Sequence, residues 1–198
     1  MYFMFNKPRG CVTAKKDSLH KTVMDHFPED IRDRLHPVGR LDKDTEGLLL
    51  VTDDGMLTHR LMQPKSHVSK TYFFYAIGTL TDEKIKAINE GVMLTGRSVP
   101  TLPASIECIS TGKITEIEEY LPEKKKDSLL KNPSQDIFSG RITITEGKNH
   151  QVKRMLRAIN CCIMYLERVA VGGVVLDPTL PRGSFRPLTK EEMQDLGL

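Results

Sequence analysis

Leu48-Leu49-Leu50-Val51 is a short unbroken apolar run, closed on its far side by the turn residues Asp53-Asp54-Gly55. Its length suits a strand, and a strand with no polar alternation is buried on both faces. A chain with such a strand needs material on both sides of its sheet. At 198 residues it is long enough for one sizeable domain, or for one domain built from two lobes.

The rest of the chain mixes both element types. Tyr2 to Asn6 reads as a strand stopped by Lys7-Pro8-Arg9-Gly10. His20 to Phe27 reads as a short helix ended before Pro28, and Met56 to Met62 as one closed before Pro64. Lys70 to Ile77 is an aromatic-rich strand. Thr81-Asp82-Glu83 starts a helix that Gly91 suits at its far end. Ala104 to Ser110 and Ile114 to Leu121 read as two strands joined near Thr111-Gly112. The polar stretch from Pro122 to Asp136 reads as an exposed loop or insertion. Gly140 to Thr145 alternates as a strand. In Asn149 to Ile159 the residues Val152, Met155, Leu156 and Ile159 recur at helical spacing. Strands follow at Met164 to Val169 and Val171 to Leu176, and the last helix opens on a capping box, Thr189 with Glu192. Without the regular alternation of a parallel sheet, this order predicts an α+β fold with a mixed, mostly antiparallel sheet flanked by helices. No linker-like stretch divides it, so residues 1–198 are expected to form one domain.

Composition excludes several classes. No apolar run approaches the length of a membrane span. The first ten residues lack the apolar core and cleavage site of a signal peptide, so the expected location is the cytoplasm. The net charge of +3 permits nucleic-acid binding without implying it. Cys11, Cys108, Cys161 and Cys162 make no zinc-ligand spacing, and the adjacent Cys161 and Cys162 read as small packed residues. No metal is expected.

Three segments carry chemistry. Gly39-Arg40-Leu41-Asp42-Lys43-Asp44-Thr45-Glu46-Gly47 concentrates acids at the mouth of the buried strand, where a rigid element can hold a site. Asp42, Asp44, Glu46, Gly47 and Asp53 also sit near calcium-loop positions. However, Leu48 to Val51 would fill the later ligand positions, and no long helix precedes Asp42, because Pro37 and Gly39 stand there. Thr145 to Arg157 places Lys148, His150, Lys153, Arg154 and Arg157 at a Gly turn that opens a helix, which suits phosphates. Lys7 and Arg9 add positive charge elsewhere in the sequence. Lys70-Thr71-Tyr72 sets an aromatic ring beside a cation, as base stacking would require. Phe73, Phe74 and Tyr75 read as core.

Together these segments resemble the RsuA family of rRNA pseudouridine synthases. The matching motifs are Lys7-Pro8-x-Gly10, Gly39-Arg40-Leu41-Asp42-x-Asp44-Thr45-x-Gly47-Leu48-Leu49-Leu50, and Lys70-x-Tyr72. Two more are Glu146-Gly147-x-Asn149-His150-Gln151-Val152-Lys153-Arg154-Met155 and Leu180-Pro181-x-Gly183-x-Phe185-Arg186-x-Leu188-Thr189. The resemblance implies a pseudouridine synthase fold of two lobes around a central cleft. It implies Asp42 as catalytic carboxylate, Tyr72 against the uracil, and Lys153 as the cation beside Asp42. Arg40 would fill the space left by the flipped base or hold the backbone. Lys7, Arg9, Lys148, His150, Gln151, Arg154 and Arg157 complete the expected RNA-binding set. Asp44 reads as a loop-organising residue. The reaction is an isomerisation, so no cofactor is expected.

The expected partner is ribosomal RNA or an assembling ribosomal subunit, with the protein a monomer. Asp53-Asp54-Gly55, His59-Arg60, Lys70-Thr71-Tyr72 and Lys153 point to the small-subunit (16S) branch, with large-subunit (23S) rRNA the alternative. A non-catalytic RNA-binding or ribosome-assembly protein is the competing class, and the set Asp42, Tyr72 and Lys153 stands against it. The Lys7-Pro8 turn comes at once, so the S4-type RNA-binding domain of many family members is expected to be missing. Asp42 is expected against Lys153 and near Tyr72 in a basic cleft.

Overall fold

The computed structural model describes residues 1–198, the side chain of Pro64 excepted. In chain order the elements are β1 (Tyr2–Lys7), α1 (Glu29–Arg32), β2 (His36–Pro37), β3 (Glu46–Thr52), α2 (Gly55–Met62) and β4 (Lys70–Ile77). There follow α3 (Asp82–Glu90), β5 (Ser105–Lys113), α4 (Lys126–Leu130), β6 (Asp136–Ile144) and α5 (Gln151–Ala158). The chain ends with β7 (Cys162–Val171), β8 (Val174–Val175), β9 (Phe185–Pro187) and α6 (Lys190–Asp195). Two compact units divide it: Met1–Lys70 with Glu167–Leu198, and Thr71–Leu166.

In the first unit β1 lies between β3 and β9, antiparallel to both. β3 runs parallel to β7 through Glu46↔Glu167 and Gly47↔Arg168. Every residue of β3 is buried, because both faces are covered. On one face Met4, Leu48 and Leu50 pack with Leu57 and Leu61 of α2 and with Leu196. Burying Leu57 and Leu61 contributes about 3–6 kcal/mol. Phe3 and Phe5 of β1 instead meet Phe27, which stacks on Phe185 at 4.3 Å between centroids. α2 starts where Asp54 accepts from the N–H groups of Met56 and Leu57, each at 2.9 Å.

Gly47 shows why this strand pair cannot shift. Its φ is +96°, and a Cβ there would stand 2.3 Å from Arg168 O and 2.9 Å from Arg168 N. Gly47→Ala is therefore expected to cost about 3 kcal/mol or more, from overpacking and left-handed strain together. A thermal melt checks this, and an unchanged midpoint would mean that β3 and β7 can separate locally at no cost.

In the second unit β5 pairs antiparallel with β6, with a register shift between Cys108 and Ser110. Tyr72, Phe74 and Ala76 are buried on alternate positions of β4, and Phe74 meets Phe138 edge to face. α5 buries Val152, Met155 and Leu156, as their spacing predicts.

Three expectations fail here. Ile114 to Leu121 is not a strand, since Ile114–Tyr120 forms 3-10 turns that kink at Ile117. Its buried residues Ile114, Ile117 and Leu121 stand three and four apart, a helical interval rather than the two of a strand. The expected helix at His20 to Phe27 is only the turn Val23–His26. The insertion Pro122 to Asp136 is partly ordered, because Leu129 and Leu130 of α4 pack on Ile114 and its neighbours. Of the adjacent cysteines only Cys161 is packed, whereas Cys162 is exposed.

Candidate active site

The Leu41–Thr45 loop leads directly into β3. Thr45 N donates to Asp42 O at 3.1 Å and closes it as a turn. Thr13 Oγ1 donates to Leu41 O at 2.8 Å, and Gly10 N donates to Lys43 O at 2.9 Å. From below, Lys7 Nζ donates to Thr45 O at 2.9 Å, Pro8 O at 3.1 Å and Lys43 O at 3.3 Å. The Lys7-Pro8-Arg9-Gly10 turn is thus the scaffold of the acidic loop.

This corrects the expectation for Lys7. The resemblance implies an RNA-binding cation, but the side chain is fully buried and its donors point at backbone carbonyls. Burial pushes its pKa down, and the acidic groups around it (Cys11, Asp44, Glu46 and Asp42) push it back up. A buried ammonium persists only when such donors and charges compensate it.

Arg9 Nε lies 2.8 Å from Glu46 Oε1, and Arg182 Nε lies 2.8 Å from Glu46 Oε2. Glu46 is only 5% exposed, so its carboxylate is neutralised from two sides. The sequence reading passed over Arg182, although it stands inside the Leu180-Pro181-x-Gly183 motif. The calcium reading fails on the same geometry. Glu46 is occupied by arginines, and Asp53 is held by the N-terminal ammonium. Among the described residues no group of three or more His, Cys, Asp or Glu could hold a metal. Asp42 is half-buried, while Arg40 and Asp44 are exposed.

The second unit carries the remaining predicted residues. Tyr72 is 8% exposed on β4. At the start of α5, His150 adopts a left-handed conformation, φ +49°, and is exposed. Gln151 is buried. Its Oε1 accepts from Lys148 N at 2.8 Å and its Nε2 donates to Glu146 Oε1 at 2.6 Å. Gln151 therefore ties the Gly147 turn together, which corrects its assignment to RNA. Lys148 pairs with Glu146 Oε2 at 2.9 Å. Arg154 is half-buried and donates to Thr95 O at 2.6 Å, Lys153 is half-buried, and Arg157 is exposed.

One further cation was missed. Arg168 is 3% exposed and donates through Nε to Leu48 O at 2.8 Å. Lys70 is half-buried. Burial lowers its pKa, and the charge of Arg168 lowers it further. Met164 to Val169 reads as a strand but carries no sign that its arginine turns inward.

Comparison with known proteins bears on the chemistry. The family described as RNA pseudouridylate synthase matches residues 1–158. The chain is 42% identical over 194 residues to an uncharacterized RNA pseudouridine synthase of Bacillus subtilis, covering 98% of this chain and 72% of the relative. It is 37% identical to ribosomal small subunit pseudouridine synthase A of Haemophilus influenzae, covering 98% and 73% of the two chains. A solved pseudouridylate synthase superposes with a TM-score of 0.80 at 36% identity, covering 98% of this chain and 73% of that one. An acidic loop on a buried strand, held by its Lys-Pro turn, thus lies within the matched segment, and the chain belongs to the RNA pseudouridylate synthase family.

Proposed function

We propose that this enzyme converts a specific uridine of small-subunit (16S) ribosomal RNA to pseudouridine, with Asp42 as its catalytic carboxylate. The observation that carries the proposal is the clamped Leu41–Thr45 turn. Lys7, Gly10 and Thr13 fix its backbone through five hydrogen bonds of 2.8–3.3 Å. Such a clamp leaves the Asp42 side chain as a preorganised group. The small-subunit reading is supported by the Haemophilus relative and by one of the same name in Escherichia coli, 36% identical over 192 residues.

In this reading Asp42 attacks the nucleotide or removes a sugar proton, and either role needs it ionised. Lys153 serves as the adjacent cation that favours the ionised form. Tyr72 packs against the detached uracil and retains it while it turns. The target base leaves its stack to be reached, and Arg40 fills the vacated place. Arg9, Lys148, His150, Arg154 and Arg157 supply phosphate contacts from the RNA-binding set. The isomerisation conserves atoms and redox state, so it proceeds without a cofactor. The enzyme works as a monomer in the cytoplasm.

Pseudouridine mapping of rRNA from cells lacking the gene tests this. One 16S site should revert to uridine and return when the enzyme is supplied. Loss at a 23S site would overturn the subunit assignment, and an unchanged map would overturn the rRNA reading.

A further inference from the structure

Residues 91–103 connect α3 to β5 and fall outside every motif that suggested an RNA modifier. This loop is exposed yet ordered by its own hydrogen bonds. Thr101 N donates to Val92 O at 2.9 Å, and Val92 N donates to Thr101 Oγ1 at 3.0 Å. Thr101 is 3% exposed and Leu94 2%, so base and inner turn are anchored. Arg97 N donates to Leu94 O at 3.0 Å across Gly96, whose φ of +74° suits that tight reversal.

Two bonds brace the loop on the entry to α5. Arg154 reaches Thr95 O, and Leu102 N donates at 3.1 Å to Glu146 Oε1, the oxygen that also receives Gln151. Outward it presents Arg97, with Met93 54% and Val99 61% exposed. Arg97 is the only charged residue between Gly91 and Pro103. Among the described residues no carboxylate pairs with it. Holding apolar groups in water gains the fold nothing, so their order points to a partner.

We propose that this loop is a second RNA-contacting element, with Arg97 on a backbone phosphate and Met93 and Val99 against ribose or base. The inference rests on the reading of the substrate as RNA. Its charge is complementary to an anionic strand. Its bracing ties it to the same turn and helix that carry Lys148, Arg154 and Arg157, so one strand can follow both. An arginine suits phosphate because its planar fork donates in pairs.

The test uses the full chain and an rRNA fragment that wild-type enzyme binds and modifies. Arg97→Ala should weaken binding about 3–10-fold and lower the slope of log affinity against log salt by about 0.7–0.9. Arg141→Ala removes the same charge from an exposed position on β6 and should change neither. Equal affinity and slope for wild type and Arg97→Ala would overturn the inference, as would an equal loss in Arg141→Ala. If wild-type enzyme modifies no rRNA, the proposed function fails instead.

Discussion

Asp42→Asn enzyme is expected to make no detectable pseudouridine, a fall of at least about 10³-fold in rate, while folding and binding RNA as before. The amide has nearly the shape of the carboxylate, and the turn around it is held by main-chain groups. Thr45 N still meets the carbonyl of residue 42, and Lys7 still holds Lys43 O and Thr45 O. What disappears is the negative charge. An amide is neither a nucleophile nor a base at neutral pH, so both versions of the mechanism stop. One cost is foreseeable: Asp42 is among the charges that help keep Lys7 protonated. The small loss of stability that follows should not reach the RNA. Tritium release or direct pseudouridine detection reads the first outcome, and a filter-binding titration the second. Turnover within tenfold of wild type would remove Asp42 from the mechanism.

Lys7→Met should act on the same loop by the opposite route. Methionine fits the channel but donates nothing. Lys43 O keeps Gly10 N, whereas Thr45 O and Pro8 O lose their ammonium donor. A buried acceptor left unmade costs about 1–3 kcal/mol; Pro8 O keeps only the weak Cys11 thiol at 3.5 Å, so the pair predicts a loss of about 2–4 kcal/mol after relief of the ammonium's desolvation. In a chain of this size that lowers the melting midpoint by roughly 4–16 °C. Below the new midpoint, slower turnover should accompany an RNA affinity close to wild type, because Lys7 does not face the solvent. Weakened RNA binding with an unchanged melt would restore the surface role that burial contradicts.

Much of this was legible in residue order. Lys70 to Ile77 has the same bounds in sequence and structure, because aromatic and β-branched residues end at a glycine. The box of Thr189 and Glu192 forms as read, with Thr189 Oγ1 accepting from Glu192 N at 3.2 Å. The acidic loop and the α5 turn are recognisable as candidate sites because polar residues crowd beside apolar runs. Direction was harder to read. Lys7 and Arg168 look like surface cations in a sequence, and only the carbonyls that surround them explain why they turn inward. Gln151 was grouped with its basic neighbours, although its partner Glu146 lies five residues earlier, across a glycine. The period of Ile114 to Leu121 is ambiguous in sequence because its branched residues suit strands as well as helices. Arg97 gave no signal, since one arginine in a loop of small and apolar residues has no pattern.

The pairing of β1 with both β3 and β9 has a consequence for how the protein is made. β3 follows β1 by about forty residues, but Phe185 leaves the ribosome some 180 residues after Phe5. At ordinary synthesis speeds that is a delay of roughly 10–40 s. Through this interval the second edge of β1 and the faces of Phe3 and Phe5 await Phe185, and Glu46 has Arg9 but not yet Arg182. The floor of the acidic loop therefore closes last, after all of Thr71 to Leu166 has been synthesised. A nascent chain stalled in that stretch would carry Asp42 on an unfinished support.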